Sequence, residues 1–111
     1  MKMPAKILAA SVTFLLGSAL GFSAPAAENW ENLCAKCHGA DGKGQTKIGK
    51  KLKLKDYTDA AVQAAMTDEE IITVTTDGVF VDGKERMPGY KDELTAEEIK
   101  DFVAFIRAFK A

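Results

Sequence analysis

The sequence predicts an all-α domain, and three observations carry that prediction. Thr67 with Glu70 and Thr95 with Glu98 each repeat the Thr-x-x-Glu pattern of a capping box, which opens a helix. After the second of these, Ile99, Phe102, Val103, Ile106 and Phe109 recur at helical spacing and form one apolar stripe, with Phe105 at its edge. Only Val79-Phe80-Val81 reads as a strand, and no partner strand is visible for it.

Taken in order, the chain of 111 residues opens with Lys2 and Lys6 and no acid before residue 27. An uncharged, mostly apolar run follows from Ile7 to Phe22, and then Ala24-Pro25-Ala26. A basic start, an apolar middle and an A-x-A end read together as a secretory leader over residues 1–26, cleaved near Ala26 or Ala27. The run holds Gly17, Ser18 and Gly21 and falls short of the roughly 20 apolar residues that span a bilayer. Residues 27–111 then form one domain, without internal repeats or low-complexity linkers, and export places it most readily in a periplasm.

Within that domain, Trp30, Leu33, Cys34 and Cys37 fall on one face of a short helix beginning near Glu28. Glu28 and Glu31 suit the positive end of its dipole. Gly39, Gly42 and Gly44 interrupt regular structure, and the stretch to Lys55 reads as a loop. Asp56 or Thr58 is placed to cap a helix over 60–65. The helix after Thr67 carries Ile71, Ile72 and Val74 and stops near Gly78; the one after Thr95 runs almost to the C-terminus.

Composition narrows the function. Net charge is −1 for the chain and −3 without the leader, which excludes a strongly basic nucleic-acid binder. Two cysteines and one histidine cannot assemble, within one chain, a zinc site of four thiolates or of two thiolates and two imidazoles. No nucleophile–base set is evident, so enzymatic turnover is not expected.

The chemistry is concentrated in Cys34-Ala35-Lys36-Cys37-His38. Two thiols three residues apart on a helical turn can each add across a vinyl group of a haem. The His that follows can bind the iron from the same side, so C-x-x-C-H reads as covalent haem c attachment. A thioredoxin-like redox pair competes, but it needs a βαβ setting that the sequence lacks. A Cys34–Cys37 disulfide would close a very short loop, and a metal site would lack a fourth strong ligand.

His38 is the only His, which excludes bis-His ligation within the chain. The sixth ligand is then a Met, a Lys, the N-terminus or nothing. Met66 ends an Ala-rich helical stretch, where core packing is the common fate of Met. Met87 precedes Pro88 in a segment flanked by Gly83 and Gly89. Pro stiffens the backbone there, so Met87 is the expected axial ligand beside His38.

These residues resemble a small class I c-type cytochrome over nearly all of 28–110. Cys34, Cys37 and His38 match the family's haem-binding motif, 39–44 its Gly-rich loop, and Met87-Pro88-Gly89-Tyr90 its axial-Met loop. Residues 94–109 resemble its last helix. The resemblance implies a cytochrome c fold in which the first and last helices cross, with Trp30 meeting Phe102 or Phe105 there. One place departs from the family. Gly49-Lys50-Lys51-Leu52 stands where Gly-Pro-x-Leu is usual, and the Lys50 carbonyl would take over the contact to the ring N–H of His38.

The expectation is a soluble, monomeric single-electron carrier with one haem, serving redox protein partners. Six lysines between Lys43 and Lys55, without an acid among them, apart from Asp41 just before and Asp56 just after, are a candidate docking surface. The alternative is a haem-based sensor with an open or exchangeable distal position.

Overall fold

The computed structural model describes residues 24–111. The basic and apolar parts of the leader lie outside these residues. In chain order the elements are α1 (Ala26–Asn29), a π-helical turn (Trp30–Cys34), α2 (Ala35–His38), α3 (Lys47–Leu52), α4 (Ala60–Ala65), α5 (Asp68–Asp77), β1 (Val79–Val81), β2 (Lys84–Met87) and α6 (Ala96–Arg107).

α1, the π turn and α2 run on from one another. The Pro25 carbonyl accepts from the N–H groups of Glu28 and Asn29, both at 3.1 Å, and so closes the first turn. In the π turn the Ala35 N–H bonds to the Trp30 carbonyl, five residues back instead of four. Gly39, at φ 86°, ends α2.

Both capping boxes form with both of their bonds. Thr67 accepts from Glu70 N–H and Thr95 from Glu98 N–H, while each Glu reaches back to the Thr N–H. The stripe of α6 supplies Ile99, Phe102 and Ile106 to a core that also holds Trp30, Cys34, Ile71 and Leu94. Phe102 is 1% exposed. Trp30 meets Phe102 edge-on at 6.4 Å, Phe105 at 5.4 Å and Phe109 at 5.1 Å between ring centres, so the first and last helical segments do cross at these aromatics.

Polar side chains are also paired across the same junction. Gln63 donates through Nε2 to the carbonyls of Tyr57 (2.7 Å) and Ile106 (2.9 Å). Arg107 donates to the Gln63 carbonyl and Oε1, to the Met66 carbonyl and to Asp68, which ties α4 and the start of α5 to the end of α6.

Three local expectations change. The lysine-rich stretch contains a helix, α3, because Thr46 caps it through Gly49 N–H. α4 is capped by Asp59, whose side chain accepts from Ala61 N–H, rather than by Asp56 or Thr58. Val79–Val81 has a partner strand in Lys84–Met87, so the helices are joined by one antiparallel hairpin. Asp82 and Gly83, at φ 52° and 77°, form its two-residue turn, the conformation that matches strand twist. The register runs Val81 to Lys84 and Phe80 to Glu85, and then Val79 to Met87, which leaves Arg86 as a bulge.

Candidate functional site

The turn that carries Cys34, Cys37 and His38 is held from several sides. Trp30 Nε1 donates to the Gly39 carbonyl at 2.9 Å, fixing the residue after His38 to the core. Thr46 Oγ1 donates to the Cys37 carbonyl at 2.6 Å and accepts from Gly49 N–H at 2.8 Å. Gly49 is buried against this turn; a Cβ there would lie 2.6 Å from the Cys37 carbonyl oxygen, which is why the position is glycine.

His38 packs against two aromatic rings, which also meet each other at 6.4 Å. Tyr57 stacks on it at 5.3 Å and 20°, and Trp30 lies at 5.6 Å and 39°. Burial holds its pKa below the ordinary imidazole value, which favours the neutral, metal-ligating form. Nδ1 is buried and makes no hydrogen bond. The expected contact from the Lys50 carbonyl is not made. That carbonyl lies at the end of α3 and accepts from Lys53 N–H at 3.3 Å. Tyr57 was not singled out from the sequence, where an isolated Tyr next to an Asp carries no signal of its own.

Burial, with a smaller contribution from Cys37, pushes the Cys34 thiol up to about 12. Cys37 is half-buried. Both thiols are unbridged, and no group of three or more His, Cys, Asp or Glu suited to a metal ion forms among the described residues.

Two cavities open beside this turn, of about 220 and 320 Å³. Cys34, His38, Tyr57, Val74 and Met87 line both of them. Ile71, Phe102 and Ile106 wall the smaller cavity; Leu33, Leu52, Leu54 and Val79 wall the larger one. Met66 reaches only the smaller, Cys37 only the larger, while Lys53, Lys55 and Arg86 stand at the larger one's edge.

Met87 reaches the cavities from the last position of β2, opposite Val79. The chain beyond it is anchored by the Tyr90 N–H, which donates to the Thr75 carbonyl at 2.8 Å, and by the Tyr90 hydroxyl, which donates to the Leu33 carbonyl at 3.2 Å. The four residues singled out from the sequence, Cys34, Cys37, His38 and Met87, are thus brought around one apolar space. Two adjacent thiols, a neutral imidazole and a thioether facing apolar walls are a donor set that fits a haem, with thiols for its vinyl groups and nitrogen and sulfur for its iron.

Fold and site together define a small helical protein built around one apolar prosthetic group. Residues 23–106 match the family model described as cytochrome C oxidase, cbb3-type, subunit III. The solved structure of the KustC0563 c-type cytochrome is similar at 34% identity and a TM-score of 0.71, over 79% of this chain and all of that one. A solved mutant of that cytochrome, with one tyrosine changed to phenylalanine, is similar at 34% identity and a TM-score of 0.68, over 78% of this chain and all of that one. No curated protein matches. The chain belongs to the family of small monohaem c-type cytochromes, whose chemistry is haem-based electron transfer with redox protein partners. No helix among the described residues is long and apolar enough to cross a membrane.

Proposed function

We propose that this protein is an exported single-electron carrier with one covalent haem c, bound through Cys34 and Cys37 and ligated by His38 and Met87. The observation that carries the reading is that Cys34, Cys37, His38 and Met87 together line the larger cavity, which Met66 does not reach. When bound, the haem iron would supply the ferrous–ferric couple. The residues do the rest. The thiols tether, His38 presents a neutral nitrogen on a ring packed against Tyr57 and Trp30, and Met87 presents a thioether from a strand end. A thioether favours ferrous iron relative to a second imidazole, so the potential is expected to be positive.

The N-terminal leader, residues 1–26 in the sequence reading, directs export to the periplasm and is removed. The domain that remains works as a monomer and turns over no substrate. Lys43, Lys47, Lys50, Lys51, Lys53 and Lys55 are all exposed, which supports docking to an acidic redox partner through long-range attraction.

The test is optical. Oxidised protein made with a haem-attachment system should show the weak far-red band of Met sulfur on ferric iron, and Met87→Ala should lose it while the haem stays attached. A five-coordinate, high-spin spectrum of the unaltered protein, with rapid carbon monoxide binding on reduction, would replace the carrier with a haem-based sensor. A band that survives Met87→Ala would transfer the ligand role to Met66 or a Lys.

A further inference from the structure

The leader reading ends at Ala26, yet the residues just before that point are built into the fold. The Ala24 N–H donates to Glu98 Oε2 at 3.0 Å, across 74 residues of sequence. The same oxygen accepts from Asn29 Nδ2 at 3.3 Å. Pro25 closes the first turn of α1 through its carbonyl, and the Ala26 carbonyl accepts from the Trp30 N–H. A cut after Ala26 would remove both of these carbonyls and the Ala24 donor. It would also create a positive ammonium on Ala27, inside the first turn, where the helix dipole is already positive.

A second small-residue site lies three residues earlier, with Gly21 and Ser23 in the spacing that a leader peptidase accepts. We infer that the leader is cleaved between Ser23 and Ala24, and that the new α-ammonium of Ala24 is clamped by the Glu98 carboxylate on α6. Water adds across the Ser23–Ala24 peptide bond under a leader peptidase, leaving a carboxylate on Ser23 and an ammonium on Ala24. That ammonium stands outside the helix. It turns the neutral N–H contact to Glu98 into a charge-assisted one, which is the stronger kind. Glu98 then holds three groups: its own Thr95 N–H through Oε1, and Asn29 and the chain terminus through Oε2. The inference rests on the export reading above and on no other part of the proposed function.

Intact mass and N-terminal sequencing of the haem-loaded protein, exported from the full-length precursor, test it directly. The expected product is a single species beginning at Ala24. A species beginning at Ala27 or Glu28 overturns the inference and leaves the cleaved-leader reading standing, whereas an exported chain that keeps Met1 overturns cleavage itself. The clamp is tested separately on chains exported behind an unrelated leader that fixes the start at Ala24 or at Ala27. Glu98→Gln is made in each, since Gln keeps the capping box. Glu98→Gln should lower Tm by about 4–8 °C in the chain starting at Ala24 and by clearly less in the chain starting at Ala27. Equal losses in both chains would remove the clamp.

Discussion

Replacing Trp30 by Phe probes the junction on which both the fold and the haem turn depend. Trp30 is 3% exposed, and its indole N–H is the donor to the buried Gly39 carbonyl. Phe keeps an aromatic ring against Phe102, Phe105 and Phe109 but removes that donor. An unsatisfied buried acceptor costs about 1–3 kcal/mol. Besides that nitrogen, the phenyl ring gives up two carbons of packing, worth about 1.6 kcal/mol at ~0.8 kcal/mol for each buried methylene-sized group. Together the loss is about 3 kcal/mol, out of a total stability of about 5–15 kcal/mol for a domain. For a domain of this size that lowers Tm by about 12–24 °C. Guanidinium unfolding of the haem-loaded protein, followed by far-UV circular dichroism, is the assay, because Trp30 is the only Trp and its fluorescence disappears with the substitution. A loss below about 1 kcal/mol would refute the claim that the Trp30–Gly39 bond holds the turn.

Gly49→Ala should destabilise by more than an ordinary helix substitution, by about 2–4 kcal/mol, because the new methyl meets backbone at the Cys37 carbonyl; urea midpoints of the two proteins measure it. The capping-box carboxylates set an acid limit. Glu70 is held below the ordinary carboxylate range chiefly by the Thr67 N–H, and Glu98 chiefly by the Thr95 N–H with help from Ala24. Both are depressed in the fold, so their contribution is complete above the unfolded carboxylate pKa, about 4.3, and is lost as pH falls through the lower folded values. Melting curves between about pH 7 and pH 2 should therefore fall less steeply at the acid end for Glu70→Gln with Glu98→Gln than for the unaltered protein. Arg107→Leu leaves the Met66 carbonyl without the guanidinium donor and the Gln63 carbonyl with only the Met66 N–H, and should loosen α4 first; amide exchange over 60–66 should rise before exchange over α6 does.

What the sequence made legible was whatever rests on local chemistry with a fixed spacing. The capping boxes at Thr67 and Thr95, the stripe of α6 and the Cys34-Cys37-His38 turn all follow from side chains a few residues apart, and the structure places them accordingly. The hairpin was hidden because Lys84-Glu85-Arg86-Met87 shows no apolar alternation, although Asp82-Gly83 is a strong turn signal. α3 was hidden for a related reason. Its apolar positions are only Ile48 and Leu52 among lysines, too few to read as a stripe, and its one fully buried residue, Gly49, is held by the Thr46 cap and by backbone contact. The surroundings of His38 depended on tertiary packing. The Lys50 that stands in place of a proline still offers a carbonyl, but only the fold reveals that this carbonyl closes the end of α3 without pairing with Nδ1 and that Tyr57 stacks on the ring.

The crossing of the first and last helical segments also bears on the order of events during synthesis. Trp30 finds its partners at Phe102, Phe105 and Phe109, about seventy residues further along the chain. A ribosome delivers residues in sequence, so the segment with Cys34 and Cys37 emerges long before anything exists to cover it. Until α6 is made, the core lacks Ile99, Phe102 and Ile106, and the early chain has no stable compact state to fall into. An architecture closed by its own last helix thus leaves both thiols uncovered throughout translation. It shuts over them only when the chain is complete.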